Sequence, residues 1–154
     1  MTTAPDATER AAGIDPRGPR FGAALTAILL IATILAGDSP AGLILLAVVV
    51  ASFALGVARG VQGTWQGLLY ASLVRPRLAP PTDREDPAPP RFAQLVGLII
   101  TGVGLVLGLI GVGWAVTVFA AVALVAAFLN AAFGLCLGCE MYLLGRRLRP
   151  SRAA

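Results

Sequence analysis

The chain has 154 residues, 57% of them hydrophobic and only 13% charged, against roughly 25% charged in a soluble domain. A soluble fold of this size cannot hide that much apolar surface, so lipid is the expected solvent for much of it. The net charge of +4 comes entirely from Arg, flanking apolar runs, and His is absent; this points to anionic headgroups and not to nucleic acid, and it excludes a Ser-His-Asp or Cys-His machine within the chain.

Residues 1–15 are polar and Ala-rich and read as a flexible tail. After "DPRGPRF", an apolar run over 21–36 and a second over 41–58 flank "GDSP", a turn by its Gly, Asp and Pro content. Each run is about 16–18 residues, near the lower limit for a spanning helix, and the tight turn makes them a hairpin. The mixed stretch "RGVQGTWQGLLYASLVRPRL", with Trp65 and Tyr70, reads as a helix lying in the membrane interface; a solvated extension of the second helix is the alternative. "APPTDREDPAPPRF" is a Pro-rich charged linker, so that 59–92 joins two hairpins. A third helix is expected over 93–110, "GVG" is a turn, and a fourth helix runs from 114 to about 144 before an Arg-rich tail at 148–154. The expected fold is therefore all-α: one integral membrane domain over 16–147, with four transmembrane helices as two hairpins plus an interfacial helix. "GPRFGAALT" and "PPRFAQLVG" open the two hairpins, a short shared string that suggests duplication in one orientation.

Every Arg lies before the first hairpin, between the hairpins, or after the second; neither hairpin turn carries one. The positive-inside rule then places both termini and the linker in the cytoplasm of a multi-pass protein of the plasma membrane. A cleaved signal peptide is the alternative for the first run, but its onset is late and no small-x-small cleavage pattern follows.

Both cysteines, Cys136 and Cys139, lie in "AAFGLCLGCEMYLLGRRLRP" near the expected cytoplasmic end of the fourth helix. A reducing compartment argues against a structural disulfide and for a redox pair, a persulfide carrier or half of a metal site; two small packed thiols are the alternative. Residues three apart in a regular helix have Cβ atoms roughly 5–6 Å apart, whereas a disulfide needs roughly 3.5–4.5 Å, so closure requires distortion. Gly134 and Gly138 make distortion cheaper, or pack as a small-xxx-small pair against Gly104 and Gly108. A position toward a helix C-terminus, with Glu140 adjacent, disfavours a thiolate unless Arg91, Arg146 or Arg147 folds back. Glu140 is one turn from Cys136, placed to accept its proton or to pair with an Arg at the interface. Asn130, Gln94 and Thr101 are expected to hydrogen-bond across helices, and Asn130 is a candidate binding residue. Two thiols and one acid fall short of a metal site, and no cofactor is expected.

The strings "DPRGPRF", "RPRLAPPTDREDPAPPRFAQLVG" and "GLCLGCEMYLL" together resemble a bacterial membrane-protein family catalogued as domain of unknown function 4395, over nearly the whole chain. The resemblance implies a small integral membrane protein of unassigned activity, found near thioredoxin-like proteins and sulfurtransferases. That fits thiol-redox or sulfur-relay work through Cys136, Cys139 and Glu140 with such a cytoplasmic partner, Arg91, Arg146 and Arg147 offering a docking charge. A non-catalytic membrane anchor, or an oligomeric transporter of a sulfur species, are the competing expectations.

Overall fold

The structure is a computed structural model and describes residues 13–149. The expectations for 1–12 and 150–154, including Arg10 and Arg152, lie outside the described residues. Among the described residues six α-helices occur in order: α1 (Arg17–Ala36), α2 (Pro40–Arg59), the short α3 (Trp65–Leu69), α4 (Ala88–Leu109), α5 (Ala115–Phe133) and α6 (Leu137–Leu148). There is no strand among them, only an isolated antiparallel bridge.

The helices α1, α2, α4 and α5 have 19 to 22 residues and are apolar enough to cross a membrane. At 1.5 Å per residue each is about 30 Å long, the thickness of a hydrocarbon core. The first turn is chemically defined: Gly37 ends α1 with φ 59°, and Ser39 caps α2 by accepting the Gly42 N–H at 3.2 Å, with Pro40 at the first helical position. The four form a ring in which α1 packs on α2 and α5, and α4 packs on α2 and α5. Leu30, Leu46, Val49 and Val116 are fully buried at its centre. Leu35, Ile44, Ile99, Val106 and Phe128 are exposed around the outside, the apolar girdle that lipid covers. The buried hydroxyls of Thr33, Ser52 and Thr101 each donate to a carbonyl four residues back in their own helix. Thr101 thus does not bond across helices as expected, because the carbonyl one turn back in its own helix has a second lone pair within reach of the hydroxyl.

All described Arg residues lie at one end of the bundle, with the linker, and the Gly37–Ser39 and Ile110–Trp114 turns lie at the other. The segment after α2, expected as an interfacial helix, is a succession of short helical turns. A 3-10 turn precedes α3, which continues through a π-helical turn at Tyr70–Val74 and a second 3-10 turn at Arg75–Arg77. Its aromatic residues are tied into the protein. Trp65 Nε1 donates to Ser52 Oγ at 2.7 Å, and buried Tyr70 donates its hydroxyl to Asp15 at 2.8 Å.

Residues 13–15, expected in a flexible tail, are held firmly. Ile14 is buried and pairs with Glu85 of the linker through both backbone bonds, at 2.9 and 3.0 Å. Asp15 meets the Arg17 guanidinium at 2.9 Å, and Arg17 also donates to the Ala79 carbonyl at 3.0 Å. Burial pushes the Asp15 carboxyl up, but the Arg17 and Tyr70 hydrogen bonds outweigh it and hold its pKa at about 2, below the ordinary 3.8. Linkage then fixes the sign: the carboxylate's contribution is fully present above the unfolded value and is lost as pH falls through the folded one. Asp15→Asn is therefore expected to lower the melting midpoint of detergent-solubilised protein by a few degrees at neutral pH. The gap between variant and parent should close between about pH 4 and pH 2. An unchanged midpoint at neutral pH would show that the clamp carries no stability. Linker acid Asp86 also has a defined task, accepting the Ala88 N–H at 2.9 Å as α4 begins.

The two halves repeat one another in detail. Pro19-Arg20-Phe21 and Pro90-Arg91-Phe92 occupy the first turns of α1 and α4. Phe21 packs on Tyr70 at 5.8 Å between ring centroids, and Phe92 on Tyr142 at 5.7 Å. Thr64, six residues before Tyr70, caps α3 by accepting the Gly67 N–H; Cys136, six residues before Tyr142, caps α6 by accepting the Cys139 N–H. The arginines cross over. Arg91 donates to Val57 and Ala58 at the end of α2, and Arg20 lies against Gly134 at the end of α5.

Candidate functional site

The run expected as one helix from Trp114 to about Leu144 is two. Gly134 takes φ 69° just past Phe133, its N–H bonding to the Asn130 carbonyl while the Leu135 N–H reaches back to Leu129. That is a glycine stop in which the chain reverses hand and uses the last carbonyls of the helix. Cys136 is then extended (φ −86°, ψ 98°), outside the helix that starts at Leu137. This break is the distortion that helical spacing demands: with Cys136 outside the helix, its Cα is 5.2 Å from that of Cys139 and the two are joined by a disulfide. The expected pairing of Gly134 and Gly138 with Gly104 and Gly108 is not made. Gly134 is a stop, Gly138 lies against Ala93 of α4, Gly104 lies against Phe119, and Gly108 against Val116 and Leu43.

The electrostatic expectation for the pair reverses with it. The cysteines sit at the first turn of α6, where unpaired N–H groups and the positive end of the helix dipole favour a sulfur anion. The Cys139 N–H already points at Cys136 Sγ, at 3.3 Å. Glu140 is exposed in that same turn, where an acid is favoured, and forms no ion pair among the described residues. Arg146 and Arg147 are in the last turn, about 10 Å along the helix from Cys139, and do not fold back. Arg91 is occupied by the carbonyls that end α2. The cation that does approach is Arg20, whose Nε and Cζ come within 3.6 Å of where a Cβ on Gly134 would stand.

Both cysteines are half-buried. They line a cavity of about 570 Å³ that opens among all four spanning helices, α3 and α6 at the Arg-rich end. On α4 its wall runs from Pro89 to Ile100 and on α5 from Val122 to Asn130, so it reaches roughly 12–16 Å into the bundle at 1.5 Å per residue. Small side chains create it, among them Gly22, Gly97, Ala126 and Ala127. Asn130 and Glu140 both line it, so Cys136, Cys139, Glu140 and Asn130 share one space, while Arg91, Arg146 and Arg147 stay outside. Gln94 lines it too and packs against Gly56 of α2.

Two cavity residues were not singled out by sequence reasoning as site residues. Arg20 had the look of a headgroup anchor. Gln66, in a mixed polar segment, carried no signal of its own. It is 5% exposed, lies against Gly22 of α1, and its Oε1 is the one buried side-chain polar atom without a hydrogen-bond partner among the described residues.

A ring of four membrane-spanning helices, with a disulfide at a helix N-terminus beside a cavity that opens at the Arg-rich end, defines a small integral membrane protein with one chemically distinctive end. The chain belongs to the family described as domain of unknown function DUF4395, which matches residues 14–147. No curated protein and no solved structure matches the chain.

Proposed function

We propose that the protein is a membrane thiol–disulfide exchanger whose Cys136–Cys139 pair takes electrons from a soluble dithiol protein at the Arg-rich face. The observation that carries this reading is the sulfur at the cap of α6. In the other half of the molecule the same position is Thr64, an ordinary oxygen cap. A thiol is a much weaker hydrogen-bond acceptor than a hydroxyl, so capping gives no reason to prefer Cys136. Disulfide chemistry does.

The exchange balances without an outside atom. A partner thiolate attacks Cys136 Sγ, the Cys136–Cys139 bond breaks, and Cys139 leaves as a thiolate that takes a proton. The partner's second thiol then attacks its own sulfur in the mixed disulfide and releases Cys136. The partner is oxidised by two electrons and the pair is reduced by two. The dipole of α6 and the Cys139 N–H hold the Cys136 thiolate, and Glu140, open to solvent beside the pair, hands protons in and out. The positive-inside rule supports a cytoplasmic position for this end, where a thioredoxin-like or sulfurtransferase protein would be the partner.

The test is a cysteine-by-cysteine alkylation profile of the reduced protein in nanodiscs. Cys136 should react with iodoacetamide half-maximally below the ~8.5 of an unperturbed thiol, and Cys139 above Cys136. Two thiols that both react only at the ordinary pH, or not at all, would contradict the reading.

A further inference from the structure

A disulfide that is reduced by a soluble dithiol needs an oxidant to regenerate it, and the cavity beneath the pair indicates which. Building on the exchange reading, we infer that the cavity binds the headgroup of a lipid-phase quinone, which reoxidises the Cys136 and Cys139 thiols. The step is closed: two thiols lose two electrons and two protons as the S–S bond forms, and the quinone gains both and becomes the quinol.

Four observations point to that ligand class. The volume of about 570 Å³ lies within the roughly 300–1,000 Å³ typical of sites that enclose a small organic molecule. The cavity lies among helices that span the membrane, where an apolar carrier dissolves and a water-soluble oxidant does not. Its deep wall, with Phe53, Ile100 and Val122, is mostly apolar, with Thr26 and a Ser52 hydroxyl already bonded to Val48 and Trp65, while Arg20, Asn130, Glu140 and the cysteines gather toward its mouth. Arg20 and Gly22, two residues apart on α1, tie that level together, one lying against Gly134 beside the pair and the other against Gln66.

The fourth observation is Gln66 itself. A buried carboxamide oxygen without a donor costs on the order of 1–3 kcal/mol, and such an atom calls for an explanation. A quinone couple supplies one for both redox states. Oε1 has no surface open to the cavity as it stands, so the amide turns on binding: its N–H then donates to a quinone carbonyl and its Oε1 accepts from the quinol hydroxyl. A purely apolar ligand, such as an acyl chain, would leave Oε1 as it is.

The experiment uses the full chain in nanodiscs, reduced with dithiothreitol and desalted, then mixed with decylubiquinone. Quinol is followed by absorbance and the pair by mass-tagging maleimide. The expected result is one quinol formed per disulfide, with neither product in a Cys136→Ser/Cys139→Ser control. Gln66→Leu should raise the quinone concentration for half-maximal rate roughly tenfold, the loss of about one hydrogen bond to the ligand. Ala127→Phe should fill the cavity and slow quinol formation by more than its reaction with dithiothreitol. If dithiothreitol reduces the disulfide at a normal rate but quinone does not reoxidise it beyond the control, the inference is overturned and the exchange reading stands. The same holds if quinone oxidises the pair with Gln66→Leu and Ala127→Phe both indistinguishable from the parent. If dithiothreitol and quinone both leave the pair untouched, the exchange reading falls as well.

Discussion

Cys136→Ser is expected to keep the fold and abolish the exchange. Serine is among the preferred helix caps, and its Oγ accepts the Cys139 N–H at least as well as the sulfur does at 3.3 Å. Removing an ordinary N-cap side chain costs about 1 kcal/mol, and here none is removed, so the melting midpoint should stay near that of the parent with its disulfide reduced. Disulfide exchange with a soluble dithiol, by contrast, should drop by roughly three orders of magnitude or more, since the reacting atom is gone. Cys139→Ser removes the sulfur that leaves in the first step, so exchange with a reduced dithiol should be lost as well. Run in reverse with the oxidised partner, the lone Cys136 thiolate attacks the partner's disulfide, and with no Cys139 to displace the partner the mixed disulfide should be visible on a non-reducing gel. Were Cys136→Ser to melt several degrees lower than the reduced parent while complementing a deletion strain normally, the cysteine pair would be a packing feature and the chemistry would lie elsewhere.

The second large effect concerns a residue with no chemistry. A Cβ on Gly138 would stand 2.6 Å from both Cα and Cβ of Ala93, backbone and near-backbone atoms that cannot rotate away. The α6 helix is held chiefly by α4 and touches α5 only lightly, so Gly138→Leu has one relief available, which is to swing α6 off α4. Overpacking of this kind costs about 1–3 kcal/mol, and it takes the cysteines with it, along with the Phe92–Tyr142 contact. The expected outcome is a folded bundle with α6 cut by protease at Arg146 or Arg147 at least roughly tenfold faster, and with exchange lost. Gly145, on the same helix, has open space where a Cβ would stand, with nothing within 4 Å. Gly145→Ala should leave both readouts unchanged, and slightly favour the helix. Equal protease rates for Gly138→Leu and the parent would mean that α6 does not depend on its close approach to α4.

The membrane architecture was legible because it rests on summed hydropathy, which local detail does not disturb. Four apolar runs with all basic residues at one end leave few folds open, since backbone groups in lipid must be satisfied within helices. The break at Gly134 was not legible in the same way. Flanking Ala, Phe and Leu continue a helical pattern, and a glycine within a membrane helix is as often a packing residue as a stop. Its signal lay in the next six residues, where Cys136 takes a cap position and an acid follows in the first turn, a variant of the capping pattern with sulfur in place of oxygen. Once the helix is broken, the dipole at the cysteines changes sign, and the same sequence supports thiolate chemistry that an unbroken helix would oppose.

The candidate site was legible only along the chain. Cys136, Cys139, Glu140 and Asn130 are close in sequence and do share one cavity. Arg91, Arg146 and Arg147 were grouped with them by proximity to the membrane surface, whereas Arg91 serves the end of α2. Arg20 and Gln66 reach the cavity from the first half of the chain, through the packing of α1 on α5 and on α3, which no local pattern encodes. The short repeat of Pro-Arg-Phe was the one sequence feature that anticipated this geometry. Each copy opens a helix whose arginine reaches the other half of the molecule.

The central claim, that Cys136 and Cys139 are a working redox pair reached from the Arg-rich face, is tested most directly by trapping their state in native membranes. Acid quenching followed by a mass-tagging maleimide reads the fraction oxidised, and a membrane-impermeant maleimide applied to inverted and to right-side-out vesicles reads the side. The account predicts a pair that shifts between disulfide and dithiol when the cells are challenged with oxidant or reductant, labelled only in inverted vesicles. Two thiols fixed in one state under both challenges, or labelled only from the opposite side, would contradict it.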